Sequence, residues 1–358
     1  MRTARSDRKE KRRHDLKNSW KTLENHPLFI GGHRKSGTTL LLALLDGHPQ
    51  LGVFPADSGF FYAYYPPYDS NQYSRQDKIR RIREFSFANA IHEYEKRTLK
   101  DELLPVDFTK MTSDFEAAVT RENPTARDIL CQMIRAYVEN SPVCSGEISR
   151  WVEKTTSSEI YANVIREWFP DAKYIHVIRD PRDNFGSLKS GWKARYQNQT
   201  DSPEALLQSM IDRGKLGFEL AKINQSAWGE NCYWILKYED LVKNPEATMR
   251  AAAQFIGISY DPILLKPSAF GALWRGNNFD GKVFSAIDPE NAGRWQERIT
   301  EHEAKVLEFH FRDVMRDFGY SAHHSLATAS DAARKHYQWF NYAKRDSINL
   351  QQPAVPSP

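Results

Sequence analysis

Pro27-Leu28-Phe29-Ile30-Gly31-Gly32-His33-Arg34-Lys35-Ser36-Gly37-Thr38-Thr39-Leu40-Leu41-Leu42-Ala43-Leu44-Leu45 is the stretch on which the reading of the fold turns. Pro27 to Ile30 is a short apolar run ending in two glycines, the pattern of a buried strand entering a loop. Thr38 to Leu45 reads as a helix, stopped by Gly47 and Pro49. Leu51-Gly52-Val53-Phe54 is a second short strand with Pro55 behind it. Strand, loop, helix, strand is the opening of an α/β domain, and it predicts a P-loop-type parallel β-sheet flanked by helices. The loop suits an anion, because Gly37 permits close backbone approach and the Thr38 and Thr39 N–H groups open the helix. A triphosphate fits poorly. An ATP or GTP loop has Lys directly after its second Gly and Ser/Thr next, whereas here Thr38 follows Gly37 and Lys35 lies two residues before it.

Outward from this start, residues 56–123 differ in character. Phe60, Phe61, Tyr62, Tyr64, Tyr65, Tyr68 and Tyr73 cluster around Pro66-Pro67, and a charged helical stretch runs from Gln76 to about Leu99. This predicts a helical and aromatic insertion, about 60–123, lying over one edge of the sheet. Helical periodicity resumes at Ile129, Met133, Ile134, Tyr137 and Val138, opened by Pro124 or Thr125. From Arg150 the alternation of elements returns. Trp151-Val152 leads into Glu153-Lys154-Thr155-Thr156, a helix spans about Ser158 to Trp168, and Lys173 to Ile178 is a strand ending at the turn Asp180-Pro181. A helix near Asn184, a long one over about 203–225, a strand at Tyr233 to Leu236 and helices over 246–256 and 301–318 complete the pattern. The predicted organisation is a basic arm over 1–26, one domain over 27–320 and a peripheral tail over 321–358.

A chain of 358 residues, 40% hydrophobic and 27% charged, buries a sizeable core and is neither disordered nor fibrous. Its net charge of +4 belongs to the arm, where nine Lys or Arg within residues 1–21 face only Asp7, Glu10 and Asp15. Such a terminal run is expected to be a solvated tail, and no nucleic-acid partner is expected. No apolar run approaches the ~20 residues of a membrane span, and none follows the charged N-terminal residues as in a secretory signal. Cys131, Cys144 and Cys232 are odd in number and lack CxxC spacing, which points to buried thiols in a reducing compartment and to no bound metal. A cytoplasmic location is expected.

The loop Arg34-Lys35-Ser36-Gly37-Thr38-Thr39 resembles the 5′-phosphosulfate loop of sulfotransferases that use 3′-phosphoadenosine 5′-phosphosulfate (PAPS). By that resemblance Lys35 would bond the 5′-phosphate and the bridging oxygen of the leaving group. A second segment, far along the chain, agrees. Arg179 at the end of a strand and Ser187 eight residues later match the spacing with which this family binds the 3′-phosphate, and a guanidinium fork suits a phosphate. Arg182 and Asp183 nearby are expected to form a structural ion pair. Trp151-Val152-Glu153-Lys154-Thr155-Thr156 resembles the family's Lys-Thr-Pro segment with Thr156 in place of Pro. Lys154 would then face the transferred group, or be an exposed lysine at a strand end. Lys237-Tyr238-Glu239-Asp240-Leu241 resembles the family's Tyr-Glu-Asp-Leu block and puts Tyr238 near the adenine. Gly293-Arg294-Trp295 resembles a late segment of bacterial members, through which Arg294 or Lys282 would help to hold the phosphates.

The resemblance implies an acceptor hydroxyl or amine attacking sulfur in line, with adenosine 3′,5′-bisphosphate leaving. Such a reaction needs a base, cations and alignment. Lys35 and Lys154 would supply the cations. Asp57 is the candidate base by position, one carbon shorter than the Glu of carbohydrate and protein-tyrosine members, or else caps the next turn. His92 is a reserve, and His48 reads as a turn residue. The aromatic residues from Phe60 to Tyr73 either line an acceptor pocket or pack the insertion onto the sheet. The acceptor would be a carbohydrate or peptide. A phosphotransferase of the wider phosphate-loop class and a non-catalytic nucleotide-binding protein are the alternatives.

Overall fold

The computed structural model describes residues 20–65, 73–97, 104–121, 124–144, 146–192, 202–277, 284 and 286–350. The arm's Arg2, Arg5, Arg8, Lys9, Lys11, Arg12, Arg13 and Lys17, the Pro66-Pro67-Tyr68 turn, Leu99 and Lys282 lie outside them. The described residues fall into two compact units, one drawn from 1–178, 220–277 and 282–289 and the other from 179–219, 278–281 and 290–358.

In the first unit, strands β1 (Pro27–Gly31), β2 (Leu51–Val53), β3 (Arg150–Lys154), β4 (Lys173–Ile178) and β5 (Tyr233–Lys237) form one sheet in the order β2-β3-β1-β4-β5. Every pairing is parallel. β1 lies at the centre and is buried throughout, as a parallel strand covered on both faces must be. Phe29 packs edge-on against Trp151 at 5.5 Å between ring centroids and also meets Phe169 and Phe61. The chain leaves β1 toward β2 and leaves β4 toward β5, so the topological switch point lies between β1 and β4. Open α/β sheets bind ligands beyond the carboxyl ends of their strands at such a point.

The helix Thr38–Leu45 buries Leu41, Leu42, Ala43, Leu44 and Leu45, which is why its sequence is apolar almost all round. Asp46 ends it in an extended conformation, and its carboxylate accepts from Ser268 Oγ and the Gly271 amide. The insertion forms helices Phe60–Tyr64, Arg75–Ile82, Ala88–Arg97 and Phe108–Arg121. A π turn at Arg83–Phe87 interrupts the stretch read as one helix, rotating Ser86 and Phe87 inward, where Phe87 meets Phe115. Helix Phe108–Arg121 packs on helix Ala126–Asn140, which lies on edge strand β2. Thr125 caps that helix through a reciprocal pair of bonds with Asp128. The helix read over 158–168 is split as well. A 3-10 turn at Ser158–Tyr161 precedes the helix Ala162–Trp168; Ser157, which opens that turn, takes a left-handed φ of 57°, and its amide bonds to Gly32 O.

In the second unit, helix Pro181–Ser190 starts at Pro181 rather than near Asn184, because Asp180 caps it and proline suits the first helical position. Arg182 does not pair with Asp183 as expected. It is clasped by Asp180 and by the fully buried Glu308, while Asp183 accepts from the Gly293 amide at 2.5 Å. Beyond 320, helix Leu326–Leu350 packs against helix Glu301–His310 through the buried Ala329, Ala332 and Ala333.

Truncating the ring at the centre of the sheet tests this packing. Phe29→Ala is expected to cost about 3–5 kcal/mol in urea denaturation. Ile223→Ala, at a side chain 59% exposed, should change stability by less than about 1 kcal/mol.

Candidate active site

β1 hands the chain to a loop whose backbone does what ordinary residues avoid. Gly32, Lys35 and Gly37 have φ of 130°, 67° and 110°. A side chain at Gly37 is excluded, since a Cβ there would stand 2.4 Å from Cδ2 of Tyr238. The Tyr238 ring thus lies over the loop. Ser36 is buried, and its hydroxyl makes no hydrogen bond among the described residues. Arg34 and Thr39 are half-buried, and Thr38 is buried at the start of its helix. Lys35 Nζ donates to Asn277 O at 3.0 Å. The loop therefore joins an open backbone turn, two cationic side chains and a buried hydroxyl, a set that can hold a phosphate.

One strand away, the register sets Ile30 opposite Lys154. Lys154 is buried rather than an exposed strand end, and its Nζ lies 2.6 Å from Asp57 Oδ2. Thr156 Oγ1 donates to the same carboxylate oxygen at 2.5 Å and lies 3.1 Å from Lys154 Nζ. Asp57 does not cap the next turn, because Ser58 Oγ accepts from the Phe60 amide there. With 34% of its side chain exposed, the Asp57 carboxylate can meet an incoming group. Burial raises its titration, but the charge of Lys154 and the bonds from Lys154 and Thr156 outweigh that, and the group titrates below its ordinary value. It is ionised at neutral pH, as a base must be.

Two carboxyl groups escaped the sequence reading. Glu153 is fully buried; it accepts from Ser58 Oγ and, at 2.5 Å, from Thr155 Oγ1, while its Oε2 makes no hydrogen bond among the described residues. Burial pushes its carboxyl up to about 7. Glu159 accepts from the Gly32 amide at 3.0 Å, and burial pushes it up to about 7 as well. The available signal was weak: an acidic residue next to Trp151 and Val152 in β3, and another just after Ser157 and Ser158.

The remaining candidates divide clearly. His48 is a turn residue as expected, bonding Ser259 O and accepting from the Gln50 amide. His92 is exposed on its helix. Phe60 and Phe61 lie in the core, and Phe61 stacks on Tyr161, so these rings pack the insertion onto the sheet. In the second unit, Arg179 is buried and donates to Asn291 O at 2.7 Å. Ser187 is half-buried on helix Pro181–Ser190. Arg294 is 40% exposed and bonded to Glu297 through two nitrogens. Among the described residues no group of three His, Cys, Asp or Glu is placed to hold a metal ion, and no helix is long and apolar enough to cross a membrane.

Residues 27–262 match the model of the Sulfotransferase family, well over half of the chain. The chain belongs to this family. Protein-tyrosine sulfotransferase A of Caenorhabditis elegans is 25% identical over 248 residues, 66% of this chain and 51% of that protein. Omega-hydroxy-beta-dihydromenaquinone-9 sulfotransferase Stf3 of Mycobacterium bovis is 21% identical over 327 residues, 83% of this chain and 76% of that one. The chain thus spans about half the length of the nematode relative. The crystal structure of sulfotransferase STF9 from Mycobacterium avium aligns with a TM-score of 0.47 and 15% identity, covering 88% of this chain and 83% of that one.

The buried carboxyls predict a pH dependence of folding. Glu153 titrates at about 7 when folded and near 4.3 when unfolded. Between these values the folded chain holds a proton on Glu153 that the unfolded chain releases, so the contribution of this group to stability falls as pH rises through that window. Urea denaturation of wild type and E153Q between pH 4.5 and 7.5 should show this as a difference, wild type losing stability relative to E153Q as pH rises. An unchanged slope in E153Q would contradict the assignment.

Proposed function

We propose that this sulfotransferase moves a sulfuryl group from PAPS to a hydroxyl or amine of a carbohydrate or peptide acceptor. The observation that carries the proposal is the Lys154–Asp57 pair standing at the carboxyl end of β3 beside the strand that enters the phosphate loop. Lys35 and the loop from Arg34 to Thr39 would hold the 5′-phosphosulfate, with Tyr238 toward the adenine. Arg179 and Ser187 would bind the 3′-phosphate, and Arg294 would add charge on release from Glu297.

In the reaction the acceptor oxygen attacks sulfur as Asp57 takes its proton. An oxygen–sulfur bond forms, the bond from sulfur to the bridging oxygen breaks, and adenosine 3′,5′-bisphosphate leaves with the electron pair. Lys35 and Lys154 offset the charge that develops on the bridging and sulfuryl oxygens. A carboxylate base and the likeness to a protein-tyrosine sulfotransferase both favour the peptide or carbohydrate class over a small phenol.

Calorimetry tests the donor assignment. Adenosine 3′,5′-bisphosphate should bind at least about tenfold more tightly than AMP, and Arg179→Ala should remove most of that difference. Lys154→Met and Asp57→Asn should each lower kcat by about 10²–10³ with the folded content unchanged. Equal binding of the two nucleotides, or magnesium-dependent ATP turnover, would overturn the reading.

A further inference from the structure

Glu159 is 2% exposed and takes no part in the reaction as proposed. Its placement is specific. The carboxylate accepts from the Gly32 amide at 3.0 Å, and the Ser157 amide donates to the Gly32 carbonyl at 2.9 Å. Residues 157–159 therefore hold both polar groups of Gly32, at the point where the chain enters the phosphate loop. Gly32 has φ of 130°, and a Cβ there would stand 2.3 Å from Val177 O, so no side chain of its own can take over this anchoring. Around the carboxyl group stand the Tyr174 and Tyr233 rings from β4 and β5, and Asn224 Nδ2 bonds the Glu159 carbonyl. Among the described residues no lysine, arginine or histidine forms an ion pair with it. A carboxyl buried without an ion pair is costly where an apolar side chain would fill the same space. Among the described residues, the one bond its carboxylate takes from another residue comes from the loop.

We propose that Glu159 is a positioning residue which, with Ser157, fixes the entry of the phosphate loop so that its backbone is set for the donor's 5′-phosphate. This rests on the loop being the PAPS site. The same short segment follows Lys154-Thr155-Thr156 directly, so one stretch of chain carries the acceptor-side cation and anchors the donor loop. An amide that loses its buried acceptor leaves the loop free to relax, and the bound nucleotide must restore the ordering.

Three forms of the full chain decide it: wild type, E159M, which fills the space without an acceptor oxygen, and E159Q, which keeps one. The readouts are the Kd for adenosine 3′,5′-bisphosphate and the hydrogen exchange of amides 32–37 without ligand, with kcat at saturating donor alongside. E159M should weaken binding about tenfold, with kcat at saturating donor changed much less, and should quicken exchange in the loop. E159Q should bring both back to within about twofold of wild type. The proposal is overturned if E159M binds and exchanges like wild type, or if E159Q is as impaired as E159M. Should wild type bind no bisphosphate, the donor reading fails by itself. Loop exchange then judges the anchoring alone: faster in E159M and restored in E159Q supports it, and no change refutes it.

Discussion

Ile30 and Lys154 face each other in the parallel register of β1 and β3, and the rest of the candidate site is placed from that pairing. Side chains alternate faces along a strand, so a slip of one residue would bring Glu153 to the place of Lys154. Asp57 would then meet a carboxylate instead of an ammonium. The register is held by bulk: Phe29, Trp151 and Phe169 form a closed group of rings, each pair within 6 Å between centroids. Core packing here sets charge placement. The backbone beyond the strands adds to it, as the Ser58 amide bonds Lys154 O and draws the Asp57 turn alongside β3.

Three carboxyl groups of the first unit sit in three environments and titrate differently for that reason. Asp57 is lowered because an ammonium and a hydroxyl bind its ionised form. Glu153 and Glu159 are raised because burial outweighs the donors they have. The division matches the work proposed for them. The group that would take a proton is partly open and ionised, while the two that hold backbone and turn in place are shut away. His176, also buried, is pushed down to about 3 and stays neutral beside the Tyr233 hydroxyl, so it adds no charge beneath the loop.

Much of this was legible in the sequence because parallel strands buried on both faces must be apolar runs with clear ends. β1 and β4 appear at or within one residue of their expected limits, and the helix Thr38–Leu45 appears where the apolar run and Gly47 put it. The loop was legible through its glycines. What was not legible depends on distance along the chain. Glu159 and Gly32 are 127 residues apart, and Arg182 and Glu308 are 126 apart, and nothing local to any of these residues names its partner. Ser157 gave no hint of its left-handed backbone, since serine has no preference for it, and the helix read across 158–168 opens as a 3-10 turn before Ala162. The Lys154–Asp57 pair lies between, with each residue chosen by resemblance and the two joined only by the fold.

In the proposed reaction Lys154 and Asp57 act together on a sulfuryl group delivered by PAPS. The most direct test follows sulfur from labelled PAPS into tyrosine-containing peptides and oligosaccharides while the released nucleotide is counted. One adenosine 3′,5′-bisphosphate is expected for each sulfated acceptor, with both products lost together in a K154M/D57N double variant that still binds the nucleotide. Transfer undiminished in that variant, or nucleotide release with no sulfated product from any acceptor of these classes, would contradict this reaction.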